Sequence, residues 1–271
     1  ADNVDAIIHT AGQTAVTTSV VDPAPDFSVN VIGTFNVLEC ARQAKKKPKI
    51  VYCSTNKVYG DNVNIINLKE IEKRYEFKDS KYLNGLPENF SIDHTKHTPY
   101  GCSKLSADLY MQDYARLYDL NIGVFRMSCI YGTRQFGFED QGWIAWFSIA
   151  AITEKPITIF GDGKQVRDVL YVTDLVLAYD AFIKSDLDFG VFNTGGGIKN
   201  TLSLLELLDK IKIKTEKKSK LSFDDWRPSD QKVYISDISH IKEKLKWEPK
   251  VSPDKGIDNI LDWVSANKEI F

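Results

Sequence analysis

The chain has 271 residues, with 35 Lys and Arg against 37 Asp and Glu, for a formal net charge of −2. Its basic residues are scattered apart from Lys45-Lys46-Lys47 and Lys217-Lys218; those runs read as solvated helix ends or loops, and no nucleic-acid partner is expected. No apolar stretch approaches the ~20 residues of a membrane span, so no membrane partner is expected either.

In chain order, Val4 to His9 reads as a short buried strand. Val29 to Ala44 follows with a helical pattern whose apolar-rich stripe includes Val29, Phe35, Leu38 and Ala41. Ile50 to Ser54 is a second strand, Pro99 to Tyr118 a long helix, and Ile122 to Met127 a third strand. Strands alternating with helices predict an α/β fold, a parallel sheet with crossover helices. Asp61 to His97 interrupts the alternation with a long, charged, Asn-rich segment, which reads either as a lid or recognition loop or as surface decoration.

The second half is less regular. Trp143 to Thr153 reads as a helix, Pro156 to Phe160 as an edge strand, and Val169 to Val172 as another. A helix starts at Thr173 or Asp174 and runs to Lys184. Phe192-Asn193-Thr194 leads into Gly195-Gly196-Gly197, a place for close passage of backbone. Ser252-Pro253-Asp254 supplies an N-cap, a proline at the first helical position and an acid in the first turn of a last helix. The four cysteines Cys40, Cys53, Cys102 and Cys129 lack metal-type spacing. Cys40 on its helix face and Cys53 in its strand read as small buried apolar residues, with no metal site and a reducing cytoplasm expected.

Chemistry concentrates in Tyr100-Gly101-Cys102-Ser103-Lys104 and Ser54-Thr55-Asn56-Lys57-Val58-Tyr59-Gly60. Residues four apart share a helix face, so Tyr100 and Lys104 can enter one site. There a nearby ammonium is expected to lower the phenol's pKa and make it a usable base. Thr55, at the end of an apolar strand, can orient a substrate hydroxyl. Together these are the groups that take a proton from a sugar alcohol while a nicotinamide takes the hydride. The Tyr–Lys pair alone carries little weight, since chance supplies about one in a chain of this composition. No G-x-x-G-x-x-G or G-x-G-x-x-G occurs in a strand-to-helix context. The chain is therefore expected to begin partway through its nucleotide domain.

Thr55, Tyr100-x-x-x-Lys104, His9-Thr10-Ala11-Gly12, Asn30-Val31-Ile32-Gly33-Thr34 and Gln165-Val166-Arg167-Asp168 together resemble the extended short-chain dehydrogenase/reductase family of nucleotide-sugar epimerases and dehydratases. The resemblance implies NAD as cofactor, a nucleotide-diphosphate sugar as substrate and a homo-oligomer as the assembled state. It implies a Rossmann-like NAD-binding domain over 1–132 and 166–197, its opening strand-turn-helix units missing. A smaller interleaved domain over 133–165 and 198–271 would bind the nucleotide sugar. About 70 family residues would precede Ala1. Residues 1–271 alone are accordingly expected not to retain NAD or turn over substrate, and to associate through an exposed sheet edge.

Carried over by position, Thr55, Tyr100 and Lys104 match the family's catalytic triad, with Lys104 also on the nicotinamide ribose. His9, Ala11, Gly12 and Gln13 would line the cofactor crevice. Asn30 either buttresses the site or satisfies neighbouring backbone. Asn56, Lys57, Arg134 and Gln135 fall at substrate-facing positions. Arg167 and Arg227 match arginines that clamp the pyrophosphate, a task suited to the guanidinium fork; surface ion pairing is the alternative. Trp143 and Trp146 are accounted for by core packing. Dehydratases of the family carry an Asp-Glu pair after the threonine, and Asn56-Lys57 supplies no such acid, which disfavours elimination. Oxidation to a ketone with hydride return to the opposite face remains. The strings Ser54 to Asn62 and Arg134 to Trp143 further imply chemistry at carbon 2 of a 3,6-dideoxyhexose.

Overall fold

The computed structural model describes residues 2–217 and 219–271, so Lys218 of the second basic run lies outside the described residues. Strand β1 (Ala6–His9) leads through α1 (Val16–Val21) and α2 (Pro23–Phe27) into a π-helical turn, Ser28–Ile32, continuous with α3 (Gly33–Arg42). Then come β2 (Lys49–Thr55), a 3-10 turn over Asn56–Tyr59, the hairpin β3 (Leu68–Glu70) and β4 (Tyr75–Phe77), α4 (Pro99–Tyr118), β5 (Ile122–Met127) and β6 (Cys129–Tyr131). The second half contains α5 (Trp143–Thr153), β7 (Ile157–Phe160), β8 (Val166–Tyr171), α6 (Val172–Lys184), β9 (Phe189–Thr194) and β10 (Thr201–Ser203). It closes with α7 (Leu204–Thr215), β11 (Leu221–Asp224), β12 (Val233–Tyr234), α8 (Ser239–Leu245) and α9 (Pro253–Ala266).

The central sheet is parallel, in the order β1-β2-β5-β9. Its inner strands are apolar on both faces because helices cover both. Alternation sorts the side chains: Ile50, Tyr52, Ile122 and Val124 pack with Leu38 of α3 and Met111 of α4. Val51, Cys53, Phe125 and Phe192 face Phe182 of α6 and Ile241 of α8. Gly123 is required between them, since a Cβ there would come within 2.8 Å of the Phe182 ring. Helix α4 starts where its capping residues dictate: the Thr98 side chain accepts from Gly101 N, and Pro99 occupies the first turn.

Strand β8 organises a second sheet, flanked by β10 and β12 and paired with β6. It begins at Val166, three residues before the expected start at Val169, so Arg167 and Asp168 lie inside the strand. Pairing with both β10 and β12 holds this polar stretch extended even though its sequence lacks an apolar run. A third core joins β7 to α5, α7 and α9 through Ile144, Ile157, Leu207 and Ile260. The Asp61 to His97 segment is neither lid nor decoration. Its Val63, Ile66, Phe77 and Leu86 are buried against Tyr59, Val166 and Tyr234, and Leu86 exchanges backbone hydrogen bonds with Ile235 and Asp237 at 2.7 and 3.0 Å.

Two further expectations need correction. Cys40 is exposed, and so are Val29 and Phe35, at 43% and 39%. The π-helical turn re-phases the helix, and its buried face becomes Val31, Thr34, Leu38 and Ala41. The first basic run is exposed as expected, with Lys46 pairing Asp5. Among the described residues no helix is long and apolar enough to cross a membrane.

One ion pair is fully internal. Arg126 of β5 grips Asp108 of α4 with two parallel bonds of 3.0 Å, and the two residues are 4% and 0% exposed. Replacing one partner strands the other's charge in the interior. Arg126→Met is expected to cost about 3–5 kcal/mol in urea unfolding, with much of the loss recovered in the Arg126→Met/Asp108→Leu double variant. A loss below about 1 kcal/mol in the single variant would contradict this account.

Candidate active site

The carboxyl ends of β2 and β5, the first turn of α4, and the loops after β1, β6 and β11 enclose a cavity of about 590 Å³. Thr55, Asn56, Lys57, Tyr100 and Lys104 line it together with Gly12, Gln13, Gln135, Arg167 and Arg227. His9, Ala11, Asn30 and Arg134 do not. His9 is buried behind the site with Nε2 3.0 Å from Thr34 Oγ1, and burial pushes its imidazole pKa down. Ala11 and Arg134 are exposed at the surface. Asn30 supports the loop after β1 from behind: its Oδ1 accepts from Gln13 N at 2.9 Å and its Nδ2 donates to Ser103 Oγ at 3.0 Å.

Helix α4 delivers Tyr100 and Lys104, and its first turn is pinned from outside by Tyr100 N donating to Ser19 Oγ of α1 at 3.1 Å. The expected depression of the phenol's pKa is reversed in the protein's own environment. Burial pushes Tyr100 up to about 12, with the Asp26 carboxylate pushing the same way. The physical reason is the hydration the buried phenol loses, and the ammonium is bonded elsewhere. Lys104 Nζ donates to Cys53 O at 2.6 Å and sits 4.4 Å above the Tyr52 ring. Lys104 is itself stripped of water and falls to about 8.

At the other end of the cavity each arginine holds a carboxylate. Arg167, inside β8, bonds Asp230 at 2.7 Å and Val166 O at 2.9 Å. Arg227 pairs with Asp140 at 2.9 Å and lies over the Phe160 ring at 3.9 Å. Lys57 is between them, with Nζ 3.4 Å from Ser229 O; burial lowers its pKa, Asp230 opposing and Arg167 reinforcing the shift. Trp143 borders the cavity and donates through Nε1 to Cys129 Sγ at 3.4 Å, while Trp146 packs against the core of α5, α7 and α9.

Several residues escaped the sequence reading. Asp230 follows Arg227 by three positions, and a carboxylate near a clamp arginine was a usable signal. Asp26, buried beside Asn30 with one carboxylate oxygen unpartnered, and Gln231, bonded to Asn56 across 175 residues, gave none. Among the described residues no group of His, Cys, Asp or Glu is arranged to hold a metal.

The free donors and acceptors fit the nicotinamide end of a dinucleotide. Gln13 Oε1 and Thr17 Oγ1 are buried at the cavity wall without partners, and a Cβ at Gly12 would come within 3.1 Å of Asn30 Oδ1. Lys104 has three donors, one of them spent on Cys53.

Comparison with known proteins agrees with this geometry. Residues 1–195 match the model of the NAD dependent epimerase/dehydratase family. The CDP-paratose 2-epimerase of Salmonella typhi is 44% identical over 269 residues, covering 97% of this chain and 78% of that protein. The UDP-glucose 4-epimerase of Thermotoga maritima, solved with UDP-glucose, superposes with a TM-score of 0.81 at 30% identity, covering 98% of this chain and 78% of the other. The UDP-glucuronic acid 4-epimerase of Bacillus cereus, solved with UDP-glucuronic acid and NAD, gives 0.80 at 25% identity, covering 99% and 77%. A family match over most of the chain, on a Rossmann-type sheet with these side chains at its carboxyl edge, identifies the chain as a member of the NAD-dependent epimerase/dehydratase family of nucleotide-sugar enzymes.

Proposed function

We propose that this chain belongs to an enzyme that epimerises CDP-paratose to CDP-tyvelose at carbon 2 through a transient keto sugar. The observation that carries the reading is the convergence of Thr55, Tyr100 and Lys104 on one cavity whose following residues, Asn56 and Lys57, are not carboxylic acids. The 44% identity to a CDP-paratose 2-epimerase supports the choice of sugar.

In this mechanism Tyr100 takes the proton from the carbon 2 hydroxyl and returns it after inversion. Thr55 orients that hydroxyl, and Lys104 binds the nicotinamide ribose while its charge offsets the cost of a buried phenolate. Gly12 and Gln13 contact the cofactor from the loop after β1. NAD, when bound, supplies the hydride acceptor and later donor, and its positive ring favours the ionised phenol. The proton and hydride removed are both returned, so the reaction consumes no NAD overall. We assign cofactor binding to residues 1–132 and 166–197, and the nucleotide sugar to 133–165 and 198–271. Arg167 and Arg227 take the pyrophosphate, exchanging their carboxylate partners for phosphate oxygens. Asn56, Lys57 and Gln135 contact the sugar.

A second copy of the chain is the proposed partner for helices α3 and α4, which expose Phe35, Leu109, Tyr110 and Leu117 at 39%, 46%, 45% and 64%. Leu117→Glu is expected to lower the mass measured by light scattering; an unchanged mass would remove α4 from the interface.

For the catalytic reading, Tyr100→Phe in the NAD-loaded enzyme is expected to slow epimerisation by about 10² or more while nucleotide-sugar binding changes little. Proton NMR of carbon 2 inversion, run on CDP-paratose beside UDP and dTDP sugars, reads both the rate and the substrate. Near-normal turnover by the Phe variant would dismiss Tyr100 as the base, and preference for another carrier would reassign the substrate.

For the clamp, Arg167→Ala or Arg227→Ala is expected to weaken binding of a nucleoside diphosphate by roughly 1.5–3 kcal/mol and of the nucleoside hardly at all. Equal losses for the two ligands in calorimetry would place these arginines away from the pyrophosphate.

A further inference from the structure

We propose that Asn56 and Gln231 are positioning residues that fix the direction of the Thr55 hydroxyl, so that Thr55 offers the cavity a hydrogen-bond acceptor and not a donor. The inference deepens the reading of Thr55 and Tyr100 given above and rests on it.

The argument starts from a group whose role is fixed. The Gly60 carbonyl can only accept, and Gln231 Nε2 donates to it at 2.9 Å. Gln231 therefore presents its oxygen at the other position, where Oε1 accepts from Asn56 Nδ2 at 3.1 Å. Asn56 in turn presents Oδ1 to Thr55, whose hydroxyl donates to it at 3.3 Å. The orientation of a side-chain amide normally has to be assigned from its surroundings; here a backbone carbonyl fixes both amides in sequence.

Burial makes the direction hard to reverse. Gln231 is 0% exposed and Asn56 7%, and Asn56 Oδ1 takes no other hydrogen bond among the described residues. Turning the Thr55 proton elsewhere would leave that buried carbonyl oxygen without a protein partner among the described residues. A hydroxyl has one proton and two lone pairs. The proton goes to Asn56, and one lone pair receives Lys57 N–H at 3.2 Å. One lone pair is left for the cavity. A sugar hydroxyl or the Tyr100 phenol can donate to it, but Thr55 has no proton with which to stabilise a phenolate. The chain of amides thus favours neutral Tyr100, whereas a freed Thr55 hydroxyl would favour the ionised form.

The other ionisable groups around the phenol are Asp26 from α2, Lys104 from the next turn of α4, Tyr52 from β2, and His9 from β1, coupled through Lys104. None is altered by substitutions at 56 or 231.

The test reads the phenol directly and not through activity. In protein labelled with 13Cζ-tyrosine, the Tyr100 resonance is the one lost in Tyr100→Phe. In Asn56→Ala the Tyr100 midpoint is expected to move down by about 1 unit, read as a larger ionised fraction at a fixed pH below the wild-type midpoint. Gln231→Met, far away in sequence, frees the Asn56 amide to turn and is expected to shift the midpoint the same way. In a Thr55→Val background, Asn56→Ala should produce no further shift. An unmoved or raised midpoint in both variants, or a shift that persists without the Thr55 hydroxyl, would overturn the proposal. If Tyr100→Phe keeps its turnover while these shifts occur, the amide chain stands and the assignment of Tyr100 as base fails.

Discussion

The buried pair between Arg126 and Asp108 is the joint on which the site depends. It ties the long helix to the central sheet by two bonds of 3.0 Å, and Asp108 is one turn beyond Lys104 on the same face. The same carboxylate accepts from Ser54 Oγ at 2.6 Å, so the residue before Thr55 is fixed to the helix that carries Tyr100. Arg126 continues outward to Tyr59, whose hydroxyl donates to Asn193 Oδ1 at 2.7 Å. A buried pair is seldom a large net source of stability. Its directional bonds instead fix the relative position of α4, β2, β5 and β9, which a purely apolar contact between helix and sheet would leave free to slide.

The site's polarity follows from what its charged groups do once water is removed. Lys104 Nζ donates to a backbone carbonyl, Cys53 O. Burial then works on the two residues in opposite directions, raising the phenol and lowering the ammonium, because each loses hydration of its charged form. A base with so high a pKa fits chemistry in which it is ionised only when positive charge arrives beside it. The proposed mechanism therefore ties proton removal to occupancy of the nicotinamide side.

Much of the fold was legible because local signals agreed. The helix Pro99–Tyr118 carried its own start in Thr98-Pro99, and the strand Ile122–Met127 was a run of strand-compatible residues apart from Gly123 and Arg126. The stretches read wrongly are those where a tertiary partner overrides the local pattern. Strand β8 starts in a polar stretch because β10 and β12 pair with it. Cys40 turns outward because a π-helical turn alters the phase of α3. At the site, the convergence of Thr55, Tyr100 and Lys104 on one cavity could be read from spacing and residue type. The sign of the tyrosine's pKa shift could not, since it depends on the hydration the buried phenol loses. Nor could Gln231 be linked to Asn56, since nothing local to either residue signals the other.

The placement of the remaining acids bears on which reaction the cavity can support. Asp230 is held by Arg167 and Asp140 by Arg227. Asp26 is buried behind the site against Asn30. The turn after β2 presents an amide whose Nδ2 is already bonded to Gln231, and an ammonium directed at Ser229. Elimination of water needs two groups, one to remove a proton from carbon and another to protonate the departing hydroxyl. In the proposed mechanism the phenol is the proton-transfer group at the Thr55 end of this cavity, and inversion through a ketone asks for no more than that. On that reading the same oxygen accepts the alcohol's proton, holds it while the carbon is trigonal, and gives it back. The amides at 56 and 231 then serve a task that a carboxylic acid at position 56 could not: they hold the threonine in one orientation without adding a second titrating group to the site.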